Sequence, residues 1–584
     1  MSQIKTISLL ALLAISLFFS CKTEQEQAWK NKDNTVRVRS QVDLATLNPF
    51  LYRTAYEAAA FKLVFQFLMD FDPKTLELSP QLIKAAPTAT DITSGEYAGG
   101  QSFSFEILDE AVWDDGKPVT AADVDFSFKV LFNPKLPLQR IAAYLEYVRE
   151  IQADPANPKK FNLLTNRKYF LAQDAISNFS ILPAHIYDPE GLLKDIALKD
   201  LTNPATAAKL AEDPRLQQFA DAFSSPKFGR EVVSGSGPYQ VVEWVDGQRV
   251  VFKKKENWWG DKLADRYPML AAFPDTIIIL PIADQTAAIA ALKDEAIDVS
   301  AEIDSKQFKE LQQDSFVKEV YNLITMPRFV YFYVAMNNRN PKLADKRVRR
   351  ALAHVLDMDA VIRDLYDGFG EKIANPFLPD KPYYDKSLKP IEMNLDKARQ
   401  LLAEAGWKDS NGNGTVDKTI DGQAVELKLQ YLYTPGSAFQ ENLSDLMKNN
   451  AQKVGIEIER VQVESNVMGD RLRNLDYELA GRGAGAQPVP DDPKQLWHTD
   501  SANPGGSNYA GFGNAESDAL IEQIQSTTDA AQRNELYKKF QAIVYEEQPV
   551  IFLFSPMDKI AVHKRFEPAV SKMGVSLQHL KRLN

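Results

Sequence analysis

Ser234-Gly-Ser-Gly-Pro-Tyr239 leads into the strongest local structural signal of the chain. From Tyr239 onward apolar and polar residues alternate, and Asp246-Gly247 interrupts the alternation. Asp-Gly between two alternating segments is the strongest short-range signal of a β-hairpin that a sequence offers. The sequence therefore predicts a hairpin over Gln240–Lys253, entered through flexible glycines and a proline of fixed φ.

Length, composition and charge limit the classes of function that this protein can have. The chain has 584 residues, of which 45% are hydrophobic and 25% charged, as in soluble globular proteins. This length predicts several domains or one large multi-lobed unit. The formal net charge of −11 argues against a nucleic-acid partner, which would need a basic surface.

The N-terminus has the features of a secretory signal. A lysine precedes the apolar run Ile7–Phe19, and a serine stands directly before Cys21, the only cysteine of the chain. This order of residue types predicts a signal peptide over residues 1–20. Leu17-Phe-Phe-Ser-Cys21 resembles a bacterial lipobox. We therefore expect a lipid on Cys21 and a flexible polar tether over residues 21–35.

Other segments predict the elements of an α/β protein. Thr120 and Asp123 have the spacing of a helix capping box, and Asp345 suits a helix N-cap. Apolar residues at helical spacing predict a helix over Ala55–Asp70. A strand, a helix and a second strand follow one another over residues 275–299, which is typical of an α/β fold.

Three sequence features resemble catalytic, metal-binding or nucleotide-binding motifs. Local structure explains each of these features better. Asp114 and Asp115 could form a catalytic carboxylate pair, but they belong to a turn that leads into the helix cap. His185 follows Pro-Ala and suits a turn or packing role better than metal ligation. Gly481–Ala486 has the spacing of a dinucleotide loop, but the prolines directly after it block the helix that such a loop requires.

The segment Asp409–Asp417 resembles part of a calcium-binding loop. Oxygen-bearing side chains stand at its first, third, fifth and ninth positions. The twelfth position, which should supply a bidentate carboxylate, is Ile420. A polar hairpin connection is therefore favoured over a calcium site.

The sequence shows no recognisable catalytic group. The single cysteine stands at the expected lipidation position, no G-x-S-x-G motif is present, and the five histidines lack metal-ligand spacing. We therefore expect a binding protein without catalytic residues, metal or cofactor. The alternative is a secreted, lipid-anchored hydrolase, whose nucleophile and base would come from distant parts of the chain.

Motifs along most of the chain resemble those of one family. Val112–Val124, Ala335–Asp357, Asp396–Trp407 and Ser507–Phe554, together with the Gly-Pro-Tyr strand, are similar to motifs of the family-5 extracellular solute-binding proteins. They occur in the same order as in that family. Its members, the peptide- and nickel-binding group, serve ATP-binding-cassette importers.

The resemblance implies an α/β fold of the periplasmic binding-protein type, with two lobes, a hinge and three domains. The first domain would be discontinuous, over residues 36–80, 231–318 and 540–584. The second would span residues 81–230 and the third residues 319–539. A peptide-like or other small solute would be captured between the lobes and delivered to a membrane permease.

The family's ligand-binding residues carry over only in part. Asp491 lies in the loop that corresponds to the family's pocket loop, and Arg482 is either a ligand contact or a member of a structural ion pair. Tyr431 and Tyr433 are either core residues or a stacking wall, and Tyr52 is a further candidate. The charged residues that clamp a short peptide in relatives are absent here. An oligosaccharide or a metal chelate is therefore the alternative ligand.

The expected cellular setting follows from the N-terminus and the resemblance together. We expect a monomer in the periplasm or cell envelope, anchored to a bacterial membrane by the lipid on Cys21. The expected partners are a small-molecule or peptide ligand, an inner-membrane ATP-binding-cassette permease and the membrane itself, with no nucleic acid.

Overall fold

A computed structural model describes residues 33–435, 437–503 and 506–583. The predicted signal peptide, Cys21 and nearly all of the predicted tether lie outside these residues. Within the described ranges, none of the helices combines the length and the apolar composition of a membrane-crossing segment.

The largest sheet has eight strands from distant parts of the chain. Thr35–Ser40 lies near its centre and runs parallel to Thr276–Pro281 and Val299–Ser300. The other strands are Tyr239–Val245, Arg249–Lys254, Tyr321–Pro327, Gly370–Lys372 and Phe554–His563. Residues near both ends of the chain therefore belong to one sheet.

A second sheet has five strands. In order they are Glu457–Gln462, Lys428–Tyr433, Leu479–Gly485, Val330–Met336 and Val550–Phe552. Side chains alternate between its two faces, and each face contributes to a separate apolar core. We call the face that carries Tyr331 and Ala480 the inner face, and the face that carries Val334 and Tyr431 the outer face.

A third sheet has four antiparallel strands. In order they are Thr88–Asp91, Gln101–Glu106, Asn157–Thr165 and Val148–Asp154. Its buried Phe103 and Leu163 belong to the same apolar core as Phe252 and Ile277 of the large sheet. The first and third sheets therefore form one lobe, and the five-stranded sheet forms the other.

Helices and small hairpins complete the two lobes. The α-helices are Ala55–Phe61, Ala121–Leu131, Gln139–Ala142, Ala172–Ser177, Ala184–Tyr187, Leu198–Thr202, Pro204–Leu210, Pro214–Phe223, Gln285–Lys293, Ser305–Leu311, Ser315–Val320, Lys346–Ala353, Met358–Ala360, Leu395–Glu404, Ala438–Gln452, Ser465–Arg473, Lys494–Trp497, Ala515–Ser526 and Ala530–Glu547. The small strand pairs are Met69–Phe71 with Leu78–Pro80, Asp417–Ile420 with Gln423–Glu426, Phe566–Glu567 with Lys581–Arg582, and Val570–Ser571 with Gly574–Val575.

Two short crossings connect the large sheet with the five-stranded sheet. Only Arg328 and Phe329 lie between strands Tyr321–Pro327 and Val330–Met336. Only Leu553 lies between Val550–Phe552 and Phe554–His563. Longer segments of the chain also cross to and from the strand Gly370–Lys372 of the large sheet. Bending between the lobes is therefore absorbed at the two short crossings and in these longer segments.

Several local predictions are confirmed. Tyr239–Val245 and Arg249–Lys254 form the expected antiparallel hairpin, with Gly247 at φ +68° in its turn. Thr120 and Asp123 form a capping box. The side chain of Asp345 accepts a hydrogen bond from the second residue of the following helix. The strand–helix–strand order over residues 275–299 is also present.

The helix predicted over Ala55–Asp70 is wrong beyond Phe61, where the helix ends. The carbonyl oxygens of Leu63 and Val64 accept hydrogen bonds from the backbone of Tyr239 and Gly237, at 3.0 and 2.8 Å. These backbone groups are therefore used in a tertiary contact. A helical pattern of apolar residues cannot reveal such a contact, because its partner lies far along the chain.

The glycines before the hairpin are required by this close approach and not by an unusual φ. A Cβ on Gly235 would lie 2.3 Å from the Val64 carbonyl oxygen, and one on Gly237 would lie 2.6 Å from it. The Asp114 carboxylate holds the same stretch from the other side. It accepts hydrogen bonds from Ser234 Oγ at 2.8 Å and from the Gly235 N–H at 3.2 Å. Asp114 therefore has a structural partner.

A buried ion pair joins three distant segments of the large-sheet lobe. Arg565, whose side chain is 0% exposed, donates to both carboxylate oxygens of Asp298 at 2.9 and 2.8 Å. The same guanidinium donates to the carbonyl oxygens of Asp33 and Thr35, at 2.8 and 2.7 Å. Burial raises the pKa of Asp298, and the Arg565 charge opposes that rise. The C-terminal segment thereby holds the first strand in place.

The division of the chain into three domains stays a prediction. The large sheet takes strands from residues 35–40, 239–327, 370–372 and 554–563, and the four-stranded sheet takes its strands from residues 88–165. The five-stranded sheet takes strands from residues 330–552.

Gly235→Ala should destabilise the protein, because the added methyl group would overlap the Val64 carbonyl and force the two backbones apart. We expect a loss of about 1–3 kcal/mol in the free energy of unfolding, measured by urea denaturation. The control is Gly469→Ala, which lies in a helix where the nearest atom is the flexible end of Arg473 at 3.3 Å. This control should be neutral or stabilising. Equal stability of Gly235→Ala and the wild type would contradict the role of the contact.

Candidate functional site

A cavity of about 640 Å³ lies between the two lobes. One wall comes from Phe71 and residues 141–179, and the other from the inner face of the five-stranded sheet and residues 482–509. Sites for small ligands commonly have volumes of about 300–1,000 Å³. Its aromatic lining consists of Phe71, Tyr144, Tyr169, Phe179, Tyr331, Tyr333, Phe377, Trp497 and Tyr509.

The strand register explains which residues of the sheet reach the cavity. Tyr333 pairs with Arg482, and Tyr331 pairs with Ala484, on neighbouring antiparallel strands. Directly opposed residues point to the same face, so all four belong to the inner face. The rings of Tyr331 and Tyr333 lie with their centroids 5.9 Å apart. The inner face thus presents two tyrosines and one arginine to the cavity.

Arg482 is the predicted site residue that the structure places most clearly in the cavity. Its guanidinium lies 5.3 Å from the centre of the Tyr509 ring. Its Nε is buried and has no hydrogen-bond partner, and the guanidinium forms no ion pair with a carboxylate among the described residues. Burial raises the pKa of Tyr333 to about 12, against the opposing charge of Arg482. Of the two predicted roles, the structural ion pair is therefore not found in the described part of the chain.

Asp491 also lines the cavity, but its carboxylate is already engaged. Its Oδ2 accepts a hydrogen bond from the Tyr383 hydroxyl at 2.7 Å, and Lys381 Nζ lies 3.6 Å from the same oxygen. The Tyr383 ring stacks on Tyr537, whose hydroxyl donates to the Asp491 carbonyl. Burial raises the pKa of Asp491, and the Lys381 charge opposes that rise. These contacts hold the loop that carries Asp491 in place.

Asp492 connects the two lobes, a role that sequence reasoning missed. Its Oδ2 accepts hydrogen bonds from the Tyr169 hydroxyl and from Gln525 Nε2, both at 2.8 Å. Tyr169 belongs to the large-sheet lobe, and Gln525 to the other lobe. The Phe170 N–H donates to the Gln525 carbonyl at 3.1 Å beside this contact. In the sequence, Asp492 is recognisable only as the acidic residue before Pro493. This pattern does not predict that its partner is Tyr169, which is distant in the chain.

Asp174 is a second residue that sequence reasoning missed. It lies on the helix Ala172–Ser177 and lines the cavity on the wall opposite the sheet. Its carboxylate forms no ion pair among the described residues, and burial raises its pKa to about 6. Arg533 is the cation that opposes this rise, although its own guanidinium donates to the carbonyls of Thr527 and Thr528. In the described part of the chain, the cavity therefore holds a carboxylate that forms no ion pair.

Three predicted candidates lie away from the cavity wall. Tyr431 is 0% exposed on the outer face, in the apolar core. Tyr433 follows it on the same face, 4.9 Å from the guanidinium of Arg460. Tyr52 is 40% exposed, and its ring centroid lies 5.1 Å from that of Phe61. Alternation along the strand sends both strand tyrosines to the outer face, which removes them as contacts in this cavity.

Two other sequence features have local structural partners. Asp115 accepts a hydrogen bond from Lys117 Nζ at 2.8 Å and lies 2.8 Å from His185 Nε2. The segment Asp409–Asp417 leads into the small hairpin that the sequence favoured, and Asp409 accepts hydrogen bonds from three backbone N–H groups of its own loop. In the described part of the chain, no group of three His, Cys, Asp or Glu side chains has the arrangement of a metal site.

Comparison with a family model places most of the chain in one group. The model of the bacterial extracellular solute-binding proteins, family 5 (middle region), matches residues 79–507. The oligopeptide-binding protein AppA of Bacillus subtilis (strain 168) is 27% identical over 477 residues, which cover 81% of this chain and 78% of the relative.

Solved structures share the fold. The oligopeptide-binding protein AppA from Bacillus subtilis, in complex with a nonapeptide, gives a TM-score of 0.70 at 23% identity, over 94% of this chain and 99% of that one. NikA from Brucella suis, in complex with Fe(III)-EDTA, gives a TM-score of 0.73 at 19% identity, over 94% of this chain and 100% of that one. The expected two-lobed α/β fold of the periplasmic binding-protein type is confirmed.

Asp174→Asn should stabilise the ligand-free protein at pH 7.5. The native carboxyl has a pKa of about 6, against an ordinary value of 3.8, so its charged form costs folding free energy above pH 6. That cost disappears below about pH 4, where the carboxyl is protonated in both states. We expect a gain of about 1–3 kcal/mol at pH 7.5 and none at pH 3.5, from urea denaturation at both pH values.

The matched control for this prediction is Asp221→Asn. Asp221 is an exposed residue of helix Pro214–Phe223, at the surface of the same lobe. Its replacement should leave the stability nearly unchanged at both pH values. A loss of stability in Asp174→Asn at pH 7.5 would show that the carboxylate has a favourable partner.

Proposed function

Since this chain belongs to the bacterial extracellular solute-binding proteins, family 5, we propose that it is the substrate-binding component of an ATP-binding-cassette importer. It captures a peptide-like or other small solute between its lobes and delivers it to a membrane permease. The observation that carries the proposal is the cavity of about 640 Å³ between the lobes, with its aromatic walls.

The aromatic lining supports capture of a solute with a partly apolar body. Aromatic side chains offer a large contact area, and few of their torsion angles have to be ordered when a ligand binds. Tyr331 is 2% exposed and Tyr333 is 7% exposed, so the wall on the sheet is rigid before a ligand enters. A preformed wall lowers the entropic cost of binding.

The contacts between the lobes support a grip-and-release mechanism. Asp492 accepts a hydrogen bond from Tyr169 of the other lobe, while the chain itself joins the lobes at Arg328–Phe329 and at Leu553. The lobes are thus linked by covalent crossings and also by hydrogen bonds between side chains. Such bonds are weak enough to open and reform, which a carrier that releases its solute requires.

Binding without turnover is favoured over hydrolysis by the residues of the cavity wall. Three carboxylates line it, and two of them, Asp491 and Asp492, are occupied by tyrosine, amide or lysine donors. Among the described lining residues there is no histidine or cysteine. The wall therefore offers recognition groups and lacks the paired nucleophile and base that a hydrolase would use.

Ligands bound in two solved structures of the same fold guide the choice of solute. One relative of the same fold was solved with a nonapeptide and another with Fe(III)-EDTA. We propose a peptide-like solute first and a metal chelate or oligosaccharide second. The protein would act as a monomer in the periplasm or cell envelope, with a lipid on Cys21 as its membrane anchor.

Tyr169→Phe should weaken solute binding by loosening the closed form. Loss of the hydroxyl bond to Asp492 costs about 1 kcal/mol, or roughly fivefold in Kd. The wild type should first be screened by thermal shift against peptides, oligosaccharides and metal chelates. A bound solute at a hundred times its Kd should stabilise it by about 2.7 kcal/mol. The Kd of the best solute is then measured for the variant.

The control is Tyr433→Phe, since that hydroxyl lies on the outer face, 3.5 Å from Gln462. It should bind like the wild type. Small-angle X-ray scattering should also show a larger radius of gyration for ligand-free Tyr169→Phe than for the control. Chemical conversion of the solute by the pure protein would overturn the binding function.

Cys21→Ser tests the anchor separately. Without the thiol no lipid can be attached, so the protein should move from the membrane fraction to the soluble fraction after cell lysis. Immunoblots of both fractions measure this distribution, and the wild type is the reference. Retention of Cys21→Ser in the membrane fraction would refute lipid anchoring at this residue.

A further inference from the structure

Most charged groups around the cavity are already paired. Asp492 accepts hydrogen bonds from Tyr169 and Gln525, and Asp491 accepts one from Tyr383 beside Lys381. Lys381 itself donates to the carbonyl oxygen of Val489 at 2.6 Å. These groups hold the loop and the two lobes together. A ligand that paired with any of them would have to displace an existing protein contact.

Two charged residues that line the cavity stand on opposite walls. Asp174 comes from the helix Ala172–Ser177 of the large-sheet lobe, and Arg482 from the inner face of the five-stranded sheet. Neither forms an ion pair among the described residues. Leaving a partly buried charge unpaired lowers stability, so a folded protein retains one where a ligand supplies the partner.

A second observation indicates that the cavity wall near Arg482 binds a hydrogen-bond acceptor of the ligand. Tyr331 is 2% exposed and lines the cavity, yet its hydroxyl has no hydrogen-bond partner. Arg482 Nε is buried and also has none. Both groups donate, and the strand register puts both residues on the inner face. Because both residues also line the cavity, a ligand's oxygen atoms can supply the acceptors that these two donors lack.

We propose that Asp174 and Arg482 are the charge-selecting residues of the cavity, and that its solute carries both a cationic nitrogen and an anionic oxygen group. This inference rests on the proposed binding function. The cation lies against Asp174, the anion against Arg482 and the Tyr331 hydroxyl, and the partly apolar body between them lies against the aromatic lining. A free peptide has this chemistry, and so does a non-peptide zwitterion such as a betaine.

The test combines two variants with chemical blocking of the solute. The probes are a tryptic digest of casein, the same digest acetylated at its amino groups, and the same digest esterified at its carboxyl groups. A panel of betaines distinguishes the non-peptide source. Solutes retained by the purified protein are identified by mass spectrometry, and the Kd of the best one is measured by calorimetry.

The expected pattern is specific to each residue. The wild type should lose at least about tenfold in affinity for acetylated and for esterified solutes. Asp174→Asn should bind the unmodified solute at least about tenfold more weakly and should no longer distinguish it from the acetylated form. Arg482→Gln should in the same way stop distinguishing the esterified form. A preference for betaines over peptides would assign the solute to the non-peptide source within the same proposal.

Stability measurements separate recognition from folding. Asp174→Asn should bind the solute poorly and yet unfold at a higher temperature than the wild type at pH 7.5. Substitution of a residue with a purely structural role would instead lower the unfolding temperature. Asp221→Asn and Arg471→Gln, both outside the cavity lining, are the matched controls and should bind like the wild type.

The remaining outcomes overturn one claim or the other. Retention of neutral solutes such as maltooligosaccharides alone, or unchanged selectivity in both variants, would overturn the charge-selecting roles and leave the binding function intact. Failure of the wild type to retain any solute from these probes and from the wider thermal-shift panel would overturn the binding function, and the inference with it.

Discussion

The buried contact between Arg565 and Asp298 is the interaction on which the large-sheet lobe depends. It joins the first described strand, the middle of the chain and the C-terminal segment in one hydrogen-bonded group. Removing one partner of such a pair costs about 3–5 kcal/mol, because the other charge is left buried and alone. The pair therefore ties the first described strand to the C-terminal segment of the large-sheet lobe.

A second constraint acts where the chain re-enters this lobe before the hairpin. Gly235 and Gly237 allow two backbones to touch, and the Asp114 carboxylate accepts hydrogen bonds from the same stretch. The result is one continuous core under the large and four-stranded sheets. A rigid lobe of this kind can present Tyr169 and Asp174 at a fixed position to the opposite wall. Recognition in the cavity thus depends on packing that lies well outside it.

The cavity wall carries two sets of polar side chains: those that are paired with other protein groups and those that are not. Asp491 and Asp492 accept hydrogen bonds from protein side chains and keep the loop and the lobes in position. Within the described chain Asp174 and Arg482 form no ion pair, and the Tyr331 hydroxyl has no hydrogen-bond partner. The first set stabilises the protein, while the second set lowers its stability in the absence of a solute. This division of roles is typical of binding sites, where some stability is given up for recognition.

The sequence by itself determined the hairpin after Tyr239, the helix caps at Thr120 and Asp345, and the family, because these depend on turn chemistry, short-range spacing and ordered motifs. It also named Arg482 as a candidate, but left open whether this residue contacts a ligand or belongs to a structural ion pair. Tertiary structure alone decided that the helix from Ala55 ends at Phe61, because Leu63 and Val64 bind a backbone far along the chain. Tertiary structure alone also decided that Tyr431 points to the outer face and that Asp174 lies opposite the sheet. The face of a strand that meets a cavity is set by the packing of the other lobe, and the sequence of a single strand carries no information about that packing.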